Sequence, residues 1–132
     1  MIELDTCVLV RHFTQDDTPQ ARHASRVIAS FSSGCRGFVP LAALVELVWV
    51  LKKRYAFTRK RITRVLVAFL ESHWIVLESY ATVCRAMVRY GKTGIDFGDC
   101  VILESCQSMR CRFIYTFDRR ASRVPGFRRV PD

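Results

Sequence analysis

Hydrophobic positions recur along this chain with two spacings: short apolar runs, and longer stretches in which every third or fourth residue is apolar. Ile2-Glu3-Leu4-Asp5 reads as a strand, and Val8-Leu9-Val10 opens a helix. Asp16-Asp17-Thr18-Pro19 is a helix start, with Thr18 as cap and Pro19 in the first helical position. That helix is expected to reach about Ser32, with Ala21, Ala24, Val27, Ile28 and Phe31 inward. Gly34 to Gly37 breaks the pattern before a brief strand at Phe38-Val39. After Pro40, Leu41, Leu44, Val45, Val48 and Trp49 keep a helical period until Lys52-Lys53-Arg54, whose charges suit a helix C-terminus. Thr58 caps a helix that turns Ile62, Val65, Leu66, Phe69 and Leu70 inward. Trp74 to Leu77 reads as a buried strand. Ala81, Val83, Cys84, Met87 and Val88 mark the next helix, which ends at Gly91 and Gly94. Asp96 precedes a helix from Phe97 to about Met109, Arg112 to Thr116 is a strand, and a last short strand falls near Arg129-Val130.

Strands alternating with helices imply an α/β fold with a largely parallel sheet of about four or five strands, covered on both faces. In such sheets the functional site lies beyond the carboxyl ends of the strands. At 132 residues the chain is expected to form one domain over its whole length, 1–132. The apolar stretch from Phe38 to Leu51 contains Pro40 and Glu46 and is too short to span a bilayer, so no membrane association is expected. Glu3 and Asp5 stand where a secretory leader needs positive charge, so a cytoplasmic location is expected. The six cysteines show no Cys-x-x-Cys pair and read as free thiols.

The charge balance changes the picture. Lysines and arginines total 21 against 12 acids, a formal net charge of +9, which points to a polyanionic or acidic partner. The basic clusters lie at Lys52 to Arg64 and Arg119 to Arg129.

Scarce acids make their positions informative. Asp5 and Asp118 each follow a strand, Asp96 and Asp99 sit one helical step apart in a first turn, and Glu46 lies within an apolar helix. Each has a plainer reading. Asp96 suits an N-cap, and Asp99 could serve the helix dipole, although Val101, Ile102 and Cys106 suggest that its helix is buried. Glu46 could snorkel to a helix edge or pair with Lys53 or Arg54, and Asp118 could be an ordinary turn or cap residue. Together, strand-end and helix-start acids in one layer arrangement are expected on one rim.

The segments holding these acids resemble the motifs of PIN-domain nucleases, in particular VapC-type toxins of toxin–antitoxin pairs. Leu4-Asp5-Thr6-Cys7-Val8-Leu9-Val10 resembles the family's opening, and Val45-Glu46-Leu47-Val48-Trp49-Val50-Leu51 its second motif. Asp96-Phe97-Gly98-Asp99-Cys100-Val101-Ile102 resembles the third and Thr116-Phe117-Asp118-Arg119 the fourth, all in family order. One departure is Cys7, where the family usually has Asn; a thiol is the poorer hydrogen-bonding group.

The resemblance implies a three-layer α/β/α fold and metal-dependent endoribonuclease activity. It implies Asp5, Asp99 and Asp118 as metal ligands, Asp96 as an auxiliary ligand, and Glu46 acting through water or orienting it. Thr6, Cys7 and Thr116 are placed to support that site. An all-oxygen set suits Mg²⁺, with Mn²⁺ as the alternative, and zinc would require Cys or His at ligand spacing. The implied partners are an RNA substrate, a cognate antitoxin protein and a second copy in a homodimer. An inhibitor is expected to lie between the helices of Trp49 and Phe69 and to place an Arg near Asp5, Asp99 and Asp118. Three alternatives stay open: an RNA-processing PIN nuclease outside toxin–antitoxin pairs, a catalytically weakened nucleic-acid-binding module, and Cys7 as a nucleophile with a histidine.

Overall fold

A computed structural model describes residues 1–16 and 18–132. Asp17, placed by the sequence reading in a helix start, lies outside the described residues. The chain divides into two compact units, Met1–Tyr80 and Ala81–Asp132.

The first unit begins with strand β1 (Ile2–Glu3), followed by helices α1 (Thr6–Thr14) and α2 (Pro19–Ala29) and strand β2 (Gly37–Val39). Helices α3 (Leu41–Tyr55) and α4 (Arg59–Glu71) then lead to strand β3 (Ile75–Leu77). The strand order is β1-β2-β3 and both pairings are parallel, with Glu3 opposite Phe38 and Phe38 opposite Val76. Each parallel step is therefore crossed by a pair of helices.

Local chemistry sets the helix starts. Thr18 and Thr58 hold extended backbone, and their hydroxyls accept from Ala21 N and Arg61 N, each at 3.2 Å. Helix α3 starts after Pro40, which has no side chain able to cap; Glu78 Oε2 instead accepts from Leu41 N at 2.7 Å. The core is built from Leu9, Val39, Leu44, Leu47, Leu51, Ile62 and Leu66, all essentially inaccessible. Each such side chain contributes about 1.5–3 kcal/mol by leaving water. Phe31 lies beyond the end of α2 and packs against β2, where a Cβ at Gly37 would meet its Cε2 at 2.6 Å.

The second unit holds α5 (Tyr80–Lys92), whose first residue closes the first unit, then α6 (Phe97–Ser108) and β4 (Ile114–Thr116). A 3-10 turn (Ala121–Arg123) leads to β5 (Phe127–Arg129), which pairs parallel to β4 with Ile114 opposite Phe127. Phe97 sits edge-on to Tyr90 across α6 and α5, centroids 6.1 Å apart. Gly126 turns the chain at φ +102°, with Leu103 Cδ1 where a side chain would go.

The α/β reading is borne out, with parallel pairing in both sheets; the five named strands form a three-stranded and a two-stranded ladder. Several boundaries and faces differ from expectation. Helix α2 stops at Ala29 rather than Ser32, and β4 begins at Ile114 rather than Arg112. Val27, Val88 and Trp74 are exposed, and so are Trp49 (53%) and Ile102 (50%). A helix shares a run of adjacent apolar residues between two faces, so runs such as Val45 to Val50 and Val101 to Leu103 cannot all point inward. All six cysteines are free. Among the described residues no helix is long and apolar enough to cross a membrane.

Candidate active site

Asp5 leaves the carboxyl end of β1 as the N-cap of α1. The buried Leu4 before it fixes the exit, its N–H bonded to Phe38 O at 2.8 Å. Asp5 Oδ1 accepts from Thr6 N at 2.8 Å, and Asp5 Oδ2 accepts from the Cys7 thiol at 2.9 Å. These bonds, the thiol's first and the Thr6 amide's second, hold the Asp5 carboxyl below the usual aspartate range.

Thr6 is buried and its hydroxyl donates to Glu46 Oε2 at 2.9 Å. One residue thus ties the start of α1 to the middle of α3. Asp5 and Glu46 line a single cavity of about 270 Å³ with Thr6, Cys7, Arg11 and Arg54. Arg11 is engaged by Asp16 at 2.6 Å. Glu46 therefore faces a site at the carboxyl end of β1, with Thr6 as its partner in place of the expected pairing with Lys53 or Arg54.

Cys7 acts here as a donor. Its bond to Asp5, then burial and the Asp5 charge, raise the thiol above its usual range. An activated nucleophile needs the opposite shift. His12 is engaged elsewhere, its Nδ1 3.0 Å from Ser25 Oγ.

The remaining motif acids, Asp96, Asp99 and Asp118, belong to the second unit. Asp96 occupies the N-cap position of α6, but its side chain makes no cap hydrogen bond, so the plain capping role is corrected to one of backbone position. Asp99 lies in the first turn of α6 and is partly exposed. Asp118 is exposed and follows β4; its Oδ1 accepts from Arg120 N at 2.6 Å and Ala121 N at 3.0 Å. Those amides, Ala121's first, lower its carboxyl below the usual range. Thr116 Oγ1 accepts from Asp118 N at 3.0 Å and so helps fix that turn.

Among the described residues no group of three or more His, Cys, Asp or Glu is gathered closely enough to hold one ion. Asp5 and Glu46 are brought to one cavity. Two carboxylates fit a small hard cation, since Mg²⁺ is commonly held by one or two carboxylates while keeping water and substrate phosphate as its other ligands.

Trp49 and Phe69 stand differently on the two helices expected to flank an inhibitor. Phe69 is buried in the core, its ring 5.3 Å from that of Phe13. Trp49 instead lines an open apolar groove of about 670 Å³ with Leu41, Val45, Glu46 and Glu78.

Sequence reading missed the role of Glu78 at the start of α3 and the buried acid on α6. Glu104 on α6 is buried (4% exposed) and held by Arg85 Nε at 2.8 Å and by Arg89 Nε. Burial pushes its carboxyl up, but the bonds from Arg89 and Arg85 outweigh that and keep it below the usual glutamate range. The legible signal was Glu104 lying between Leu103 and Cys106, with two arginines one helical turn apart on α5.

A family model described as PIN domain matches residues 2–127, nearly the whole chain. No curated protein matches it.

Proposed function

The chain belongs to the PIN domain family, a nuclease-type fold whose members are generally hydrolases using divalent metal ions, and from that premise we propose that it is a metal-dependent endoribonuclease acting as the toxin of a toxin–antitoxin pair. The observation that carries the nuclease reading is the joint placement of Asp5 and Glu46 in one cavity at the end of β1, with Thr6 between them.

Asp5 would hold Mg²⁺ or Mn²⁺ directly and Glu46 through water; such an ion would lower the pKa of water and offset the charge of the attacked phosphate. The Cys7 thiol and Thr6 N–H both donate to the Asp5 carboxylate, which fixes its orientation and favours its charged form. Glu46, held on one oxygen by Thr6, orients the attacking water with the other. Water oxygen bonds to phosphorus as the bond to the 3′ oxygen breaks; one proton ends on that oxygen and the second passes to solvent. The resemblance assigns Asp99 and Asp118 as further ligands and Asp96 as an auxiliary one.

The toxin reading, with its antitoxin, homodimer and RNA substrate, rests on the order of the four motifs and on the net charge of +9. Cys7 donates to Asp5 in the position of the family's usual Asn, which favours an active enzyme over a weakened binding module.

The test is cleavage of RNA with Mg²⁺ by the chain and by its Asp5→Asn and Asp99→Asn variants. Asn is a competent N-cap, so Asp5→Asn keeps α1. Loss of cleavage in both variants, with folding retained, supports the nuclease; undiminished cleavage in both overturns it. Co-purification with a natively co-encoded small protein that silences cleavage tests the toxin role.

A further inference from the structure

Between residues 47 and 70 the chain carries no acid. Lys52, Lys53 and Arg54 close α3, where the helix dipole favours cations. Arg59, Lys60 and Arg61 then open α4, with no acid in that first turn. Cations at a helix N-terminus oppose the dipole, so this arrangement works against local stability. Such departures from local preference mark surfaces kept for another purpose.

A second observation gives the surface a shape. Arg61 Cζ lies over the Phe57 ring, 3.7 Å from its centroid. Phe57 is itself buried, so the ring is a fixed backing for the guanidinium. Phe13, Phe57, Arg61, Arg64 and Val65 line a cavity of about 220 Å³. Its floor is apolar and its cations are Arg61 and Arg64. Among the described residues neither has a carboxylate within ion-pair distance.

A flat cation backed by an aromatic ring offers its outer face to another flat group, and an adjacent arginine binds phosphate. A nucleotide in a single strand supplies both. An acidic peptide would use the charges but not the platform. The cavity is below the roughly 300 Å³ at which small-ligand pockets begin, which suits one base. It draws on two of the segments that also line the carboxylate cavity. Helix α1 gives Val10 and Arg11 to that cavity and Phe13 to this one; the last turn of α3 gives Arg54 and Tyr55 to that one, and Phe57 just beyond it lines this one.

We infer that the Phe57–Arg61 stack, with Arg64, is a second nucleotide-binding site that grips single-stranded RNA next to the carboxylate cavity. Its purpose rests on the nuclease reading; its test does not, because binding is measured without cleavage.

The experiment is fluorescence anisotropy of the full chain in chelator, titrated with a labelled oligoadenylate and with an abasic strand of equal charge, across a salt series. The wild-type chain is expected to prefer oligoadenylate. Arg61→Lys keeps the charge but loses the plane, so it should reduce that preference at least threefold and leave the salt slope unchanged. Arg64→Ala should weaken both strands alike and lower the slope by about one. An unchanged base preference in Arg61→Lys, or an unchanged slope in Arg64→Ala, overturns the site. So does a polyglutamate peptide whose binding falls in both variants while RNA binding holds, which would assign the surface to an acidic protein. If the nuclease reading alone is wrong, cleavage is absent and these binding differences remain.

Discussion

The hydroxyl of Thr6 reaches across forty residues of chain to donate to Glu46 Oε2 at 2.9 Å. The backbone N–H of the same residue donates to Asp5 Oδ1. A single buried threonine therefore sets the orientation of both carboxylates in the cavity, one through its main chain and one through its side chain.

Thr6→Val removes the hydroxyl and keeps the shape and the N–H. Supporting hydrogen bonds of this kind typically change metal affinity or activity by about 10- to 100-fold. We expect RNA cleavage to fall about tenfold or more with a raised Mg²⁺ requirement, and Thr6→Ser to restore both. Equal Mg²⁺ titrations in wild type and Thr6→Val would show that Glu46 needs no orienting.

Metal removal gives a separate outcome. Excess chelator should stop cleavage, Mg²⁺ or Mn²⁺ should restore it, and zinc alone should not. Far-UV circular dichroism should stay unchanged throughout, because the core is apolar and independent of the site. Cleavage that persists in chelator would rule out the mechanism.

Cys7→Asn and Cys7→Ser each keep a donor toward Asp5. Activity in both should stay within about tenfold of wild type, a barrier change of roughly 1.4 kcal/mol. A nucleophilic Cys7 predicts total loss in both, so steady-state rates of the two variants separate the readings.

Glu104 governs stability rather than cleavage. Glu104→Ala leaves behind two arginines that reach water, so it should lower urea stability by about 1–3 kcal/mol, the scale of lost charge-assisted hydrogen bonds. Arg89 is 28% exposed and Arg85 55%, so Arg89→Ala should cost more than Arg85→Ala. The folded carboxyl sits below its ordinary value of 4.5. Its contribution is therefore complete above that value and is lost as pH falls through the lower folded one. Urea midpoints between pH 7 and pH 3 should show this acid loss in wild type and less of it in Glu104→Ala.

The amphipathic stretches were readable from sequence because one apolar stripe leaves little choice of face. Thr58 with Ile62, Val65, Leu66 and Phe69 appears in the fold as a cap and four buried residues. Where apolar residues run on without interruption, the inward face is undetermined, and Trp49 and Ile102 point to solvent. The motif acids were legible as strand-end and helix-start positions. Their partners were not, because Thr6 with Glu46 and Arg85 with Glu104 are joined by packing between elements. Asp118 shows both of its readings at once, an acid of the fourth motif and the acceptor that closes its own turn.

The close approach of the Phe31 ring to Gly37 carries a consequence for how this sequence drifts. Gly37 lies in the middle strand of its sheet, and a methyl there would sit 2.6 Å from the aromatic ring. A side chain gained at 37 would force the ring to turn aside or call for a smaller residue at 31, whereas the glycine leaves the ring where it is.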